Sequence, residues 1–406
     1  MKDETGARRR ELGLLLLLAC VQFTHIMDFM IMMPLGPQLM RDLSLTPQQF
    51  GNLISVFAIT AGAIGLLTAP FADRFDRRRM LLVCYAGFAL GTLACGLCET
   101  GGQLLIARAI CGAFGGVSGA TIMAIVADLV PPARRARGMG IIMTAFSAAA
   151  ALGVPLGLKL AQWFRWETPF LAIAGVAALV WVLLCTVLPP MRGHLTLASG
   201  ERRNSSKEFI GLLASGNAWR GVLLIVALIF GHFSVIPYLS PFLVQNAKMA
   251  EENLFLIYLT GGLVTIFTGP LVGKLADRYG RYRVFVILVL IACVVIRILS
   301  TLGPQPLWVI LVLAALFFMF ASARFIPAQA AVSQAVPSER RGAYMSLIAC
   351  SRDLAAGVVA AIGGRIVIED AASGNMLRFD WLGLLAIGVS LISLVVFRSV
   401  KQTQDG

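Results

Sequence analysis

Charged side chains are scarce in this sequence: Asp, Glu, Lys and Arg make up 14% of the 406 residues, while 58% are apolar and the mean hydropathy is +0.83. A soluble globular domain is about one quarter charged, so this composition excludes one and points to a membrane protein. Histidine is scarcer still, three scattered residues, which argues against the clustered His, Asp or Cys centre of a membrane enzyme. No Gly-x-x-x-x-Gly-Lys-Ser/Thr loop is present, so nothing cradles a nucleotide and an ATP-driven pump is excluded. Neither a filter segment nor a repeated ring of charge suggests a channel. The apolar runs do not alternate, which argues against a β-barrel, and too little chain lies between them for a soluble domain beyond one middle loop.

What is present is twelve apolar stretches, each near the roughly 20 residues that cross a bilayer as a helix, at about 12–39, 48–71, 80–98, 102–130, 138–164, 168–188, 218–244, 252–275, 284–302, 306–336, 342–368 and 380–398. Arg8-Arg-Arg10 followed by Leu14–Ala19 and Cys20 mimics a secretion signal, but the apolar run continues about 18 residues past Cys20, so it reads as an uncleaved first span. The net charge of +13 could suggest nucleic acid, but position decides against it. Arg and Lys gather in alternate loops: Arg8–Arg10, Arg74–Arg79, Arg134–Arg137, Arg192–Lys207, Arg278–Arg283, Arg340–Arg341 and Arg398–Lys401. The opposite loops hold few, such as Arg41, Arg165, Lys248 and Arg378. This is the positive-inside pattern and puts both termini in the cytoplasm, at a plasma membrane. The eight cysteines all lie in apolar runs and read as small hydrophobes; Cys95-Gly-Leu-Cys98 has redox spacing without a soluble context.

A charged stretch, Gly273-Lys-Leu-Ala-Asp-Arg-Tyr-Gly-Arg281, reads as a short turn between spans 8 and 9, and an imperfect copy, Ala69-Pro-Phe-Ala-Asp-Arg-Phe-Asp-Arg77, lies between spans 2 and 3. Asp73 and Asp277 are 204 residues apart, about half of 406, so the chain divides into two related halves, 1–188 and 218–406, joined by a cytoplasmic linker at 189–217. Residues 208–213 of that linker could form a short interfacial helix. Within the spans, Pro34 and Pro37 should bend or end span 1, and Thr46 with Pro47 should cap span 2. Gly51, Gly62 and Gly65 allow close helix approach, while span 3 looks plain and lipid-facing. Pro155 between Gly153 and Gly157 should kink span 5. Lys159 and Arg297, near outer span ends, should snorkel.

These features resemble the major facilitator superfamily over essentially the whole chain. Gly273-x-x-x-Asp277-Arg278-x-Gly280-Arg281 matches that family's signature loop in full; the first copy keeps Asp73, Arg74 and Arg77 but has Ala69 and Asp76 for the glycines. Arg108-x-x-Cys111-Gly112 is similar to the family's span-4 motif with Cys for the usual Gln, and Leu152-Gly-Val-Pro-Leu-Gly157 to the span-5 motif of antiporters. Met27-Asp28-Phe29 resembles the acidic site of twelve-span drug:proton antiporters and bacterial sugar-efflux and chloramphenicol-resistance-like exporters. The resemblance implies an all-α fold of two six-helix halves and a proton-coupled exporter of small amphipathic molecules or drugs, with a lipid, lysophospholipid or sugar carrier, facilitator or symporter as the alternative. It implies no enzyme activity, cofactor, metal or nucleic acid, and a monomer whose partners are a small-molecule substrate, protons and lipid. It also implies a latch between the halves on the cytoplasmic side, with Asp73 and Arg74 reaching span 11 and Asp128, and Gly273, Asp277, Arg278, Gly280 and Arg281 in the equivalent place.

Ionisable groups inside a span are functional candidates, because a charge there is unfavourable by at least ~2.5–3.5 kcal/mol. At 1.5 Å per residue, Asp28 lies roughly 16 Å and Arg108 roughly 8 Å from the outer side, close enough for an arginine to bridge. Asp28 is either the proton carrier tuned by Arg108, or half of a permanent pair fastening span 1 to span 4. His25, three residues before Asp28, could share the proton, bind substrate or simply fill a helix interface. Arg324, at roughly 24 Å from the outer side, and Arg352 and Asp353, at roughly 15 Å from the inner side, fall at nearly one depth, so Asp353 is expected to pair with Arg324 and leave Arg352 facing the cavity. The set is either a cationic patch for an acidic or polar substrate group, or a second protonation site at Asp353, or a buried structural pair, and it lies outside the family's general motifs. His232 in span 7 is a further candidate. The charge pattern predicts that alkaline phosphatase fused after Lys401 is inactive and that a fluorescent protein fused there folds and glows; active phosphatase would overturn the orientation.

Overall fold

The structure, a computed structural model, describes residues 2–69, 71, 74–131, 134–191, 211–337 and 340–401. Most of the 189–217 linker call, including half of the short helix considered at 208–213, lies outside the described residues, as does Asp73. Among the described residues, twelve helices are long and apolar enough to cross a membrane: Arg9–Ile31, Pro47–Thr68, Arg77–Cys95, Gly101–Leu129, Arg137–Trp163, Thr168–Val187, Gly216–Gln245, Glu251–Tyr279, Arg281–Ser300, Leu307–Ser333, Arg341–Ile366 and Phe379–Ser399. They are spans 1 to 12 below. Hydrocarbon supplies no hydrogen bonds, so each crossing must satisfy its own backbone, and a helix does so within one segment. The ends of spans 1, 7 and 12 define a terminal face, which also carries the turns near Arg77 and Gly280; the opposite side is the far face.

The prolines act as the sequence suggests, with one shift of boundary. Span 1 stops at Ile31 rather than near 39; a buried turn at 32–35 follows, then a short helix at Gly36–Asp42. Span 7 breaks in the same way, between Phe233 and Ile236. Residues around the breaks recur at the 204-residue offset, Phe29 corresponding to Phe233 and Pro37 to Pro241, although the helix restarts a few residues earlier in span 7. In span 5 the kink takes the form of a π-helical turn at Ala149–Gly153 just before Pro155. The wider turn accommodates a ring that cannot donate a hydrogen bond. Span 2 opens with the expected cap: Gln49 N donates to Thr46 Oγ1 at 3.2 Å, and Thr46 N to the Gln49 side chain at 2.9 Å.

The Gly273–Arg281 stretch is not a turn for most of its length. Span 8 stays helical through Tyr279, and Gly280 alone, at φ 90°, reverses the chain before span 9 starts at Arg281. Only glycine adopts that conformation without strain. In the first copy Asp76 stands at this place and caps span 3 instead, accepting from Arg78 N at 3.0 Å. The substitution exchanges a left-handed glycine for a capping carboxylate and keeps a sharp restart.

The first and last six spans meet through small residues. A Cβ on Gly62 would lie 2.7 Å from Cys350 O, and one on Gly357 would lie 2.8 Å from Ser55 O, so spans 2 and 11 cross backbone to backbone. Gly262 of span 8 meets Ala151 of span 5 at 2.6 Å on the same measure. Towards the far face, Arg41 Nη1 pairs with Glu251 Oε2 at 2.7 Å, and Gln162 donates to Glu251 O at 3.0 Å. Lys159 does not simply snorkel: its ammonium sits 4.0 Å from the ring centre of Phe255. A two-stranded hairpin, Ile368–Glu369 with Met376–Leu377, joins spans 11 and 12 there.

Close approach also governs packing within the first six spans, where a Cβ on Gly112 of span 4 would stand 2.2 Å from Phe57 O. A backbone carbonyl in span 2 cannot move aside without moving the helix. Gly112→Ala is therefore expected to destabilise the protein by about 1–3 kcal/mol. Gly119→Ala, with nothing within 4 Å of the new methyl, should be neutral or stabilising by up to ~1 kcal/mol. Thermal unfolding of the two variants in detergent checks the contrast.

Candidate functional site

Asp28, near the end of span 1, is fully buried. Its carboxylate accepts from Arg108 Nη1 of span 4 at 2.6 Å and from Thr92 Oγ1 of span 3 at 3.2 Å. The same Nη1 reaches Asp28 O at 3.3 Å. Arg108, also fully buried, has its guanidinium carbon 4.3 Å from the ring centre of Phe57 in span 2. Two of its nitrogens, Nε and Nη2, have no hydrogen-bond partner among the described residues. Four helices thus converge on one ion pair, and both charges are held out of water.

Span 3 departs from the lipid-facing reading. One side is exposed, but Tyr85, Phe88, Thr92 and Cys95 are buried against spans 1 and 4. The clue in the sequence is Thr92, a lone threonine beside Gly91 in an apolar run. Cys111, in place of the usual Gln, has its thiol 3.7 Å from Thr92 Oγ1 and 3.9 Å from the Cys95 thiol. These two buried cysteines line the Thr92 side of the ion pair.

His25 lies one turn before Asp28, with its ring edge-on to Phe88 at 4.1 Å and to Tyr85 at 5.6 Å. Both ring nitrogens are buried without a hydrogen-bond partner among the described residues. It makes no hydrogen bond to Asp28, so a direct proton relay between the two is not assembled here.

The second half corrects the expected pairing of Asp353 with Arg324. Asp353 Oδ1 pairs with its own neighbour, Arg352 Nε, at 3.1 Å, and the side chains of Arg352 and Asp353 are 53% and 32% exposed. Arg324 is fully buried, donating through Nη1 to Ser390 Oγ at 2.6 Å and through Nε to Ala321 O at 3.2 Å. Equal depth says nothing about direction. Arg324 occupies the break between Leu307–Ala323 and Phe325–Ser333, and points at spans 7 and 12. Span 11 is held against span 2 by Gly357 and cannot bring Asp353 to it. His232 of span 7 is stacked on Phe317 at 5.6 Å and meets Phe325 edge-on at 6.0 Å. It stands 204 residues after Asp28, so the repeat sets an imidazole in one half where the other has a carboxylate.

The charged stretches fasten helices within each half. Asp128 pairs with Arg77, not with Arg74, and Arg77 also donates to Ala124 O at 2.8 Å. Arg74 lies over Phe71 at 5.2 Å. The counterpart Arg281 donates to Gln334 at 2.6 Å, so both arginines tie a third span to a fourth. Asp277 is exposed, Arg278 lies over Tyr279 at 5.3 Å, and Gly273 is an ordinary helical residue. In span 5, Gly153 and Gly157 admit Met27, whose atoms would stand 2.7 and 2.6 Å from an added Cβ.

The sequence profile of the Major Facilitator Superfamily matches residues 18–360 and 255–405. The chain belongs to this superfamily. Twelve spans in two six-helix halves are its fold, and the chain is a multi-pass membrane transporter. It is 24% identical over 387 residues to the uncharacterized MFS-type transporter YceJ of Bacillus subtilis strain 168, covering 94% of this chain and 95% of the relative. It is 25% identical over 354 residues to a probable sugar efflux transporter of Helicobacter pylori strain P12, covering 86% and 85%. Among solved structures, a bacterial homologue of the human lysosomal transporter Spinster, inward-facing and unoccupied, superposes with TM-score 0.75 at 16% identity, over 97% of this chain and 99% of that one. The D-xylose-proton symporter does so with TM-score 0.75 at 18% identity, over 97% and 98%. At such identities the two structures speak for the facilitator fold alone.

Removing one member of a buried ion pair leaves the other charge uncompensated, which costs about 3–5 kcal/mol. Arg108→Gln is expected to destabilise the protein by that amount, and the double variant with Asp28→Asn by clearly less than the sum of the single changes. A double-mutant cycle on unfolding midpoints measures the coupling; additive effects would mean the pair is not formed.

Proposed function

We propose that this facilitator is a proton-coupled exporter working by alternating access of two six-span halves, residues 1–188 and 218–406. The observation that carries the reading is the Asp28–Arg108–Thr92 cluster, a carboxylate in the bundle centre held by one cation and one hydroxyl. Within hydrocarbon a carboxylate has two tolerable states, paired or protonated. A rocking motion that separates span 1 from span 4 exchanges one state for the other, and a substrate that competes for Arg108 drives the same exchange. The proton then leaves or enters as the halves change sides. The unused Nε and Nη2 of Arg108 are donors available to a polar substrate.

The relatives named as probable sugar efflux transporters favour a polar, carbohydrate-like solute over an apolar drug. The Phe29, Phe57 and Phe233 rings beside Asp28 suit the apolar face of a sugar or of an amphipathic molecule alike. A lysophospholipid carrier, a symporter or a facilitator would use the same fold. The basic loops support placing both termini in the cytoplasm and the protein, as a monomer, in a bacterial inner membrane. The stretch at Asp73 and Arg74 and its counterpart at Asp277 are proposed to latch the terminal face, while Arg77 and Arg281 each tie the third span of a half to its fourth.

The test is reconstitution in liposomes holding a pH gradient and a pH dye, with sugars, antibiotics, cationic dyes and lysolipids added in turn. Solute-triggered proton movement in wild type, reduced at least tenfold in Asp28→Asn, is expected. Solute flux without proton movement would replace the exporter by a facilitator.

A further inference from the structure

The two halves bury one arginine each, but they neutralise only one. Asp28 faces Arg108 at 2.6 Å. Arg324 meets a serine hydroxyl and a carbonyl, and no acid among the described residues pairs with it. An arginine does not give up its proton in a protein, so it cannot escape by becoming neutral. Asp353, the acid at matching depth, is engaged by Arg352. The mid-span groups Asp28 and Asp353 against Arg108, Arg352 and Arg324 therefore leave one positive charge uncompensated. A lone charge at the bilayer centre persists only where something answers it.

The geometry indicates where the answer comes from. Nη2 of Arg324 has no hydrogen-bond partner among the described residues. It points at span 7, since a Cβ on Gly231 would lie 3.2 Å from it. The next residue, His232, also has a buried nitrogen, Nδ1, without a partner. His232 is half-buried, and Phe233 beside it stacks at 5.9 Å on Phe29 of span 1, on the boundary between the halves. Along span 7, His232 thus stands between Phe233 at the boundary and Gly231 beside Arg324.

We propose that Arg324, approached past His232, seats a singly charged anionic group: the carboxylate of the transported solute, or a small free anion carried with it. The proposal rests on the carrier reading and is independent of proton coupling at Asp28. It makes the second half the anion side of the cavity and the first half the proton side. A guanidinium and a donor imidazole form charge-assisted bonds with such a group, whereas a cationic solute is repelled.

The experiment measures unfolding midpoints of the full-length protein in neutral detergent. The probes are the sodium salts of chloride, formate, acetate and gluconate, against formamide, acetamide and glucose at matched osmolality, with wild type, Arg324→Gln, Arg324→Lys and Asp28→Asn. A ligand that binds only the folded state raises the midpoint. At least one anion, and no neutral partner, is expected to raise the wild-type and Asp28→Asn midpoints by a few degrees. The rise should be absent in Arg324→Gln and partly kept in Arg324→Lys. A carboxylate that acts where chloride does not identifies the solute's own acid group; an equal effect of chloride identifies a free anion. Anion shifts equal in wild type and Arg324→Gln, or no anion shift in any variant, would overturn the proposal and leave Arg324 a strut for Ser390. Loss of proton movement in Asp28→Asn with the anion shift intact would separate this site from the coupling site.

Discussion

Hydrocarbon gives the backbone nothing to bond to, and the rest of the structure follows from that constraint. Each crossing must close its own hydrogen bonds, so the chain is helical wherever it is in lipid. Irregular backbone is tolerated only where protein surrounds it, and here it sits beside the ionisable side chains within the spans. The turn at 32–35 follows Asp28, the break at 234–235 follows His232, and Arg324 is itself the break in span 10. The same absence of a hydrophobic force between helices explains the glycines: where spans 2 and 11, or 2 and 4, touch, their backbones meet directly and gain van der Waals contact that side chains would prevent.

On this frame the two halves are alike in architecture and unlike in charge. Phe29 and Phe233 occupy equivalent places and stack on each other, so the repeat brings its own copies together at the boundary. Beside them stand Asp28 in one half and His232 in the other. A symmetrical scaffold thus carries an asymmetrical pair of polar clusters.

Much of the fold was legible in the sequence. Span number, the caps at Thr46, the kink at Pro155 and the half-length repeat all rest on local chemistry: apolar length, proline's missing donor, a capping hydroxyl and a recurring motif. The Asp28–Arg108 pair was legible because both are charges in otherwise apolar runs, and depth alone brought them within reach. The same depth argument failed for Arg324 and Asp353, because depth along a helix carries no azimuth. Thr92 was passed over because an isolated threonine in an apolar run looks unremarkable until its neighbours are known.

The sequence by itself determined that this chain crosses a membrane twelve times in two related sets of six, and which few charges lie inside. That information is one-dimensional: it fixes how far along its helix each residue sits. Only the tertiary structure decided which way each helix is turned. It put Thr92 and Cys111 behind Asp28, gave Asp128 to Arg77, joined Asp353 to Arg352, and left Arg324 facing a serine. Rotation about a helix axis is set by packing against neighbours distant in the chain, where a glycine at Gly62 or Gly357 matters more than the helix's own apolar pattern.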